Sequence, residues 1–395
     1  MAKKKNEGNQ LEDIKNKLLE KLAKKTDKEY KTINQLENVF NPSDYIDYGN
    51  VMINLITGGD WKKGMPNNIS LMFVGEKDSG KSLMSLLAMK DLANKGYLVF
   101  YYETEGAISL DKMKEFGINT EFIIPVDDFD HLIDLKFSVL EKLNNLDISD
   151  KAAFIYDSVA MVLDSEKFTK NAKADETKTM GKDAQERNDF FKATIKKACR
   201  LHKAQIFINR TYSAFDVANP KYTSDDKKQI VAGGSAGQFG VSSILSMEKT
   251  IIYNKYDFQD QEGTEVKNKT MKYPIGSKFT ISSSRKNRLV KPGLSVYFVI
   301  QDDKGLLRYS GLTPFAEMWN YLEKVRGGWK LSNSEKTFKN LVDVPDDIWL
   351  DLLDNHKFGD KLNEFFSLPK VDGGSNFDFN NSNSNEEIDE DNSNE

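Results

Sequence analysis

With 395 residues, 39% of them hydrophobic and 30% charged, the chain can bury a sizeable core in one large or two to three small domains, and no apolar run approaches the roughly 18 residues of a membrane span. A formal net charge of −5 would argue against nucleic acid if it were evenly spread, but ten lysines face six acids in residues 1–31, lysines are dense over 162–228, and eight acids with no Lys or Arg follow from Val371. The only cysteine, Cys199, excludes a disulfide-stapled fold, and no apolar stretch follows the N-terminal lysines, so a cytoplasmic protein without a secretory signal is expected.

Leu11, Ile14, Leu18 and Leu22 recur at helical spacing and predict an amphipathic helix. Its stripe suits docking on its own domain and self-assembly equally. From Ile69 short apolar runs at 69–74, 97–102, 122–124, 152–156 and 204–208 alternate with helical patterns at 81–94, 109–116, 129–145 and 183–201. Apolar strands alternating with helices predict an α/β fold, a mostly parallel sheet covered on both faces. Strands at 245–252, 277–282 and 294–300 read as antiparallel additions to its edge. Aromatic-rich helical patterns surround Trp319 and Trp349, and an Asn/Ser/Asp/Glu-rich tail from Asp372 is expected to be disordered. The expected division is 1–45, an N-terminal helix and linker; 46–310, the core; 311–370, a small C-terminal α/β domain; and 371–395, an acidic tail.

Gly75-Glu76-Lys77-Asp78-Ser79-Gly80-Lys81-Ser82 fits G-x-x-x-x-G-K-[ST], and Leu83 follows in the helix. Glycines let such a loop turn its N–H groups inward, and the next helix adds its positive end, so phosphate is held. Lys81 is then expected on the β- and γ-phosphates and Ser82 on Mg²⁺. Asp157 ends an apolar strand and is the candidate for the Mg²⁺ shell. Glu103 and Glu105 follow another strand, where a carboxylate reaches the ligand crevice and can activate water. Spacing alone does not choose between them. His131, His202 and His356 are too scattered for a metal site or a triad.

Phe100-Tyr-Tyr-Glu-Thr-Glu105-Gly-Ala, Asp157-Ser158-Val-Ala, Phe207-Ile-Asn209, Gly233-Gly-Ser-Ala236 and Lys286-Asn-Arg288 resemble the successive signature segments of bacterial RecA. Within that family the likeness is greatest to the UvsX recombinases of T-even-like phages, over about residues 45–365. The resemblance implies a RecA-like ATPase core and these roles. Glu105 activates water. Lys286 and Arg288 reach a neighbour's ATP across a filament interface. Arg210 stands where RecA has a γ-phosphate-sensing glutamine, and an arginine cannot reproduce that amide's hydrogen bonds. Lys81, Glu105 and Arg210 are thus the catalytic candidates. Lys112 stands where the family often stacks a tyrosine on adenine.

Two long polar stretches, Asp164–Lys182 and Thr211–Gly234, fall where RecA has its DNA-binding loops. Lysines suit phosphate, and aromatics stack on unpaired bases. The DNA-binding candidates are Lys182, Arg187 and Lys192 around the first stretch, and Tyr212, Phe215, Gly233 and Gly234 in the second. The resemblance implies ATP and Mg²⁺ as cofactors and a homo-oligomeric filament on single-stranded DNA. It also implies pairing and strand exchange with homologous duplex DNA, in recombination, repair and recombination-dependent replication. A loader or mediator and a single-strand-binding protein are the expected partners, no membrane is involved, and the setting is the cytoplasm of a phage-infected bacterium. A RecA-fold ring helicase and a non-catalytic ATP-gated DNA scaffold are the alternatives.

Overall fold

The computed structural model describes residues 2–28, 30–104, 106, 109–162, 182–213, 229–232, 240–257 and 270–369. Helix α1 (Ala2–Thr26) is longer at both ends than the leucine spacing predicts. Along its stripe Ile14, Leu18 and Leu22 are 55%, 54% and 44% exposed. Helix α2 (Glu37–Phe40), strand β1 (Tyr45–Ile46), helix α3 (Val51–Gly58) and strand β2 (Met65–Pro66) follow, with β1 and β2 paired antiparallel. Pattern reading misses α3 for a physical reason: Val51 to Thr57 are all buried, so no polar face marks its period. Its start is set by Asn50, whose side chain accepts from the Met52 and Ile53 N–H groups, and its stop by left-handed Gly59.

Next come β3 (Ser70–Gly75), α4 (Lys81–Asn94), β4 (Leu98–Glu103), α5 (Leu110–Glu115), β5 (Ile123–Pro125), α6 (Leu132–Asn144) and β6 (Ala152–Asp157). They are followed by α7 (Lys182–Arg200), β7 (Gln205–Ser213), β8 (Gln229–Val231), β9 (Ser243–Asp257), β10 (Thr270–Asn287), β11 (Ser295–Gln301) and β12 (Gly305–Leu306). Among the described residues these strands make one sheet in the order β12-β11-β10-β9-β3-β7-β6-β4-β5, with β8 beside β7. Pairing is parallel from β9 through β3, β7, β6 and β4 to β5, and antiparallel at β8 and from β9 out to β12. One expectation changes here. The strand foreseen at 245–252 as an antiparallel edge begins at Ser243, runs parallel to β3 and turns antiparallel only toward β10.

Period-two alternation in β3 serves both faces. Leu71 and Phe73 pack in one buried cluster with Met84, Leu87 and Ala88 of α4, while Met72 and Val74 join Val139 of α6 and Phe190 and Phe191 of α7. The strand therefore reads as a continuous apolar run, as a parallel strand covered on both sides must. In the second cluster, rings at matching register stack across β4, β6 and β7. Tyr102 lies 5.0 Å from Tyr156, and Tyr156 lies 4.6 Å from Phe207 at an interplanar angle of 7°. Truncating one such ring to alanine costs about 3–5 kcal/mol, so this ladder holds the ends of the three strands in fixed relation.

The chain continues through α8 (Thr313–Met318), β13 (Leu322–Val325), β14 (Gly328–Leu331), β15 (Thr337–Phe338), α9 (Asp346–Asn355) and α10 (Phe358–Phe366). The three strands form a separate antiparallel sheet that the helical patterns around Trp319 and Trp349 do not predict. Trp349, Phe358 and Phe366 share a buried cluster with Ile46, Met52 and Trp61. The Trp61 backbone N–H donates to Asn363 Oδ1 at 3.0 Å. No helix among the described residues is long and apolar enough to cross a membrane.

Candidate nucleotide-binding site

The turn from β3 into α4 is dictated by what its glycines lack. A Cβ on Gly75 would lie 2.5 Å from Ser79 Oγ and 2.6 Å from the Met247 carbonyl oxygen. Gly80 has φ +95°, and a Cβ there would lie 2.5 Å from the Phe279 ring. Asp78 also has positive φ, 61°, and alternating conformations of this kind form an anion nest. No side chain caps the first turn of α4, so its N–H groups point at whatever occupies the loop. Lys81 folds back over the turn, with Nζ 2.5 Å from the Glu76 carbonyl oxygen and 3.3 Å from Ser79 Oγ. It is 8% exposed. The loop thus packs its glycines against Ser79, Met247 and Phe279 and presents a concave, cation-lined space, which fits a phosphate group.

At the strand ends beside this turn, Asp157 is buried at the last residue of β6 and in register with Glu103 of β4. Thr104 locks the two ends together. Its N–H donates to the Asp157 carbonyl at 2.9 Å, and its Oγ1 accepts from the Ser158 N–H at 2.9 Å. The Asp157–Ser158 peptide is cis. The Glu103 carboxylate accepts from the Gly106 N–H at 2.8 Å and so closes the turn after β4. Glu105 lies outside the described residues.

Lys77, Asp78, Gly80, Lys81, Ser82 and Leu83 line a cavity of about 630 Å³ together with Asp157, Ser158 and Arg210. Its other wall is Lys112, Phe116, Lys249, Ser277, Phe279, Ile300 and Asp302. That volume is in the range of nucleotide-sized ligands. Arg210 is exposed, but its backbone is strapped: its N–H donates to Asn209 Oδ1 at 2.9 Å and its carbonyl accepts from the Ala232 N–H at 2.8 Å. A larger cavity of about 710 Å³ shares Leu83, Phe116 and Ile300 with this one but contains no residue of the glycine loop; the glycine-loop geometry, not the size, makes the smaller cavity the candidate. Lys249 and Phe279 escape sequence reading, because only strand register brings them to the loop.

Lys286 and Arg288 do not join that cavity. Lys286 pairs with Ile244 of β9, which pairs with Met72 of β3, and the Arg288 N–H donates to the Ser242 carbonyl. At roughly 3.3 Å per residue, Lys286 is set back about 10 Å from Gly75 along the sheet. Burial, with the Arg288 charge adding to it, pushes the Lys286 ammonium down to about 8.

The DNA-binding candidates divide. Arg187, expected to face DNA, is instead 5% exposed, and its guanidinium donates to the Val159 carbonyl and, at 2.7 Å, to the Val162 carbonyl. Near the start of α7 its long side chain points inward and ties down the chain after β6. Lys192 is exposed on α7. Lys182 begins that helix, and its side chain lies outside the described residues. The second polar stretch begins and ends as an antiparallel stem, β7 against β8, with Tyr212 paired with Ile230 and the two residues 50% and 42% exposed. Phe215, Gly233, Gly234, the first polar stretch between 163 and 181 and the acidic tail lie outside the described residues.

No family model matches the chain. Over 212 residues, 51% of this chain and 80% of the relative, it is 27% identical to the DNA repair and recombination protein RadB of Methanobrevibacter smithii. That likeness supports a RecA-type core, in agreement with the sheet, and is silent on the phage recombinases in particular.

Proposed function

We propose that this chain is an ATP-hydrolysing DNA recombinase that assembles as a filament on single-stranded DNA and exchanges strands with homologous duplex, in the manner of the UvsX-like recombinases. The observation that carries the reading is the placement of cations at both ends of β3. The glycine loop and Lys81 stand at its C-terminal end. Lys286 and Arg288 stand toward the other end, set back from their own chain's loop and suited to a neighbour's phosphates. Similarity to a DNA repair and recombination protein supports recombination as the process. The exposed stripe of α1 supports assembly between copies.

In this reading residues 1–45 serve assembly, 46–310 form the ATPase core, 311–370 a small C-terminal domain and 371–395 an acidic tail. The loop from Gly75 to Ser82, with Leu83 in the helix that follows, binds the phosphates of ATP. The Ser82 hydroxyl and the Asp157 carboxylate would hold Mg²⁺, which supplies charge neutralisation to the phosphates when bound. No group of three or more His, Cys, Asp or Glu among the described residues could hold a metal, so phosphate oxygens and water must complete its shell. Glu105 orients the attacking water, since Glu103 closes its turn. Lys81 and Arg210 act in the chain, and Lys286 and Arg288 act across the interface, stabilising charge on the transferring phosphoryl group. The stem carrying Tyr212 and the exposed Lys192 of α7 face DNA in this reading.

Electron microscopy of the chain with single-stranded DNA and ATP, paired with a homologous strand-exchange assay, tests the reading. Extended filaments and ATP-dependent exchange are expected. Closed rings that unwind duplex progressively point instead to a helicase, and filaments without phosphate release point to a scaffold.

A further inference from the structure

We propose, resting on the nucleotide reading above, that Lys249 is a further phosphate-binding residue of this site, contacting the non-terminal phosphates from the side of the base. Three placements converge on it. Strand β9 runs parallel to β3 with Ser246 beside Val74, which sets Met247 level with Gly75. The Met247 carbonyl is close enough to collide with any Cβ on Gly75. Leu245 and Met247 are buried in the cluster that contains α4, and Lys249, two residues on, shares their face of the sheet. It therefore stands just past the end of β3, at the glycine loop.

The second placement is lateral. Lys249 is the cross-strand partner of Phe279, with Nζ 5.8 Å from the ring centroid. That ring is the group a Cβ on Gly80 would strike. An ammonium lying against the ring that seats Gly80 is a cation held at the phosphate cradle, and its side chain lines the same cavity as Lys77, Gly80 and Lys81.

Sheet order supplies the third placement and says which phosphates Lys249 meets. Arg210 and Asp157 belong to β7 and β6, on one side of β3, whereas Lys249, Phe279 and Ile300 belong to β9, β10 and β11, on the other. With Asp157 as the metal-holding candidate and Arg210 beside it, the β6–β7 side would take the terminal phosphate, Asp302 lining the cavity from the other side. The remainder of the nucleotide then crosses the loop toward β9–β11, where Ile300, joined by Phe116 from the end of α5, lines the same cavity and offers an apolar slot for a base. Lys249 is the first side chain on that path. Its charge falls on the phosphates nearer the ribose, which ATP and ADP share.

Calorimetric binding of ADP and of a non-hydrolysable ATP analogue to the full chain decides the matter. Lys249→Gln should weaken both nucleotides alike, on the order of tenfold, as expected for loss of a charge-assisted hydrogen bond. Lys249→Arg should keep most of the affinity. Lys278→Gln serves as control, since Lys278 is next to Phe279 on β10 and its Nζ lies 4.2 Å from the Tyr297 ring centroid; it should change nothing. Unaltered affinity in Lys249→Gln, or a loss confined to the triphosphate analogue, overturns the assignment. Weakened binding of single-stranded DNA with intact nucleotide affinity also overturns it, and makes Lys249 a DNA cation. If the wild-type chain binds neither nucleotide, or Lys81→Ala binds both as well as wild type, the parent reading falls and the proposal with it. Loss in Lys81→Ala beside no change in Lys249→Gln sinks the Lys249 assignment alone.

Discussion

At the C-terminal end of β3, one lysine is buried in a turn that only glycine can make, and its ammonium is held by a carbonyl and a hydroxyl of the same turn. Toward the other end two cations sit side by side, and burial together with Arg288 depresses Lys286 to about 8. The first arrangement is complete within the chain. The second crowds positive charge together at a local cost, which a neighbour's phosphate would relieve in the proposed filament. In that reading, charge for the chain's own phosphate is built from backbone constraint, and charge for a neighbour's from strand register.

The contrast breaks most visibly at Lys81. Lys81→Ala should lower ATP turnover by about 10³-fold with the circular dichroism of the fold unchanged; phosphate release near the wild-type rate would remove the phosphate loop from the reading. Glu105→Gln should lower hydrolysis by about 10²-fold while ATP-dependent DNA binding persists. Glu103→Gln should be milder, because its carboxylate serves the turn to Gly106. Finding Glu103 the more damaging of the two shows that the wrong carboxylate was chosen.

A third test separates charge that serves the fold from charge that serves a ligand. Arg187→Met should orphan the Val159 and Val162 carbonyls and cost about 1–3 kcal/mol for each, read as a lowered Tm. Lys192→Ala should leave Tm alone and weaken DNA binding chiefly at low salt. Reversal of the two phenotypes returns Arg187 to the DNA surface.

The remaining tests sharpen the far end. Mixtures of Lys286→Ala with Lys81→Ala chains should regain part of the turnover, because an intact loop can face an intact basic pair. No recovery over many mixing ratios favours a purely local role for Lys286. The smallest effect concerns pH. Lys286 is depressed to about 8 with no neighbour's phosphate beside it, so its charge is present below pH 8 and turnover at subsaturating ATP, which reports that free state, should fall as pH rises through about 8. The folded state binds the proton less tightly than the unfolded one, so stability rises, not falls, between about 8 and the ordinary lysine range. Arg288→Gln removes the second cause of the depression and should move the alkaline limb upward, with a lower plateau. An unmoved limb means burial alone sets it.

Much of this protein is written locally. The strand–turn–helix at Gly75–Ser82, the apolar runs and Asp157 at a strand end are legible because glycine sterics, period-two burial and the helical repeat act over a few residues. Helix α3 is invisible for the same reason, since uniform burial erases its period. Which chemistry stands where is another matter. Arg187 reads as a DNA cation in a lysine-rich stretch and is buried against two carbonyls. Lys249 and Phe279 carry no motif, yet reach the loop because β9 runs beside β3. Lys286 and Arg288 gain a role in sequence only through the family resemblance, and pairing through β9 sets them away from their own phosphate loop. Those positions are decided by pairing between strands distant in sequence, and no local preference of the backbone encodes that.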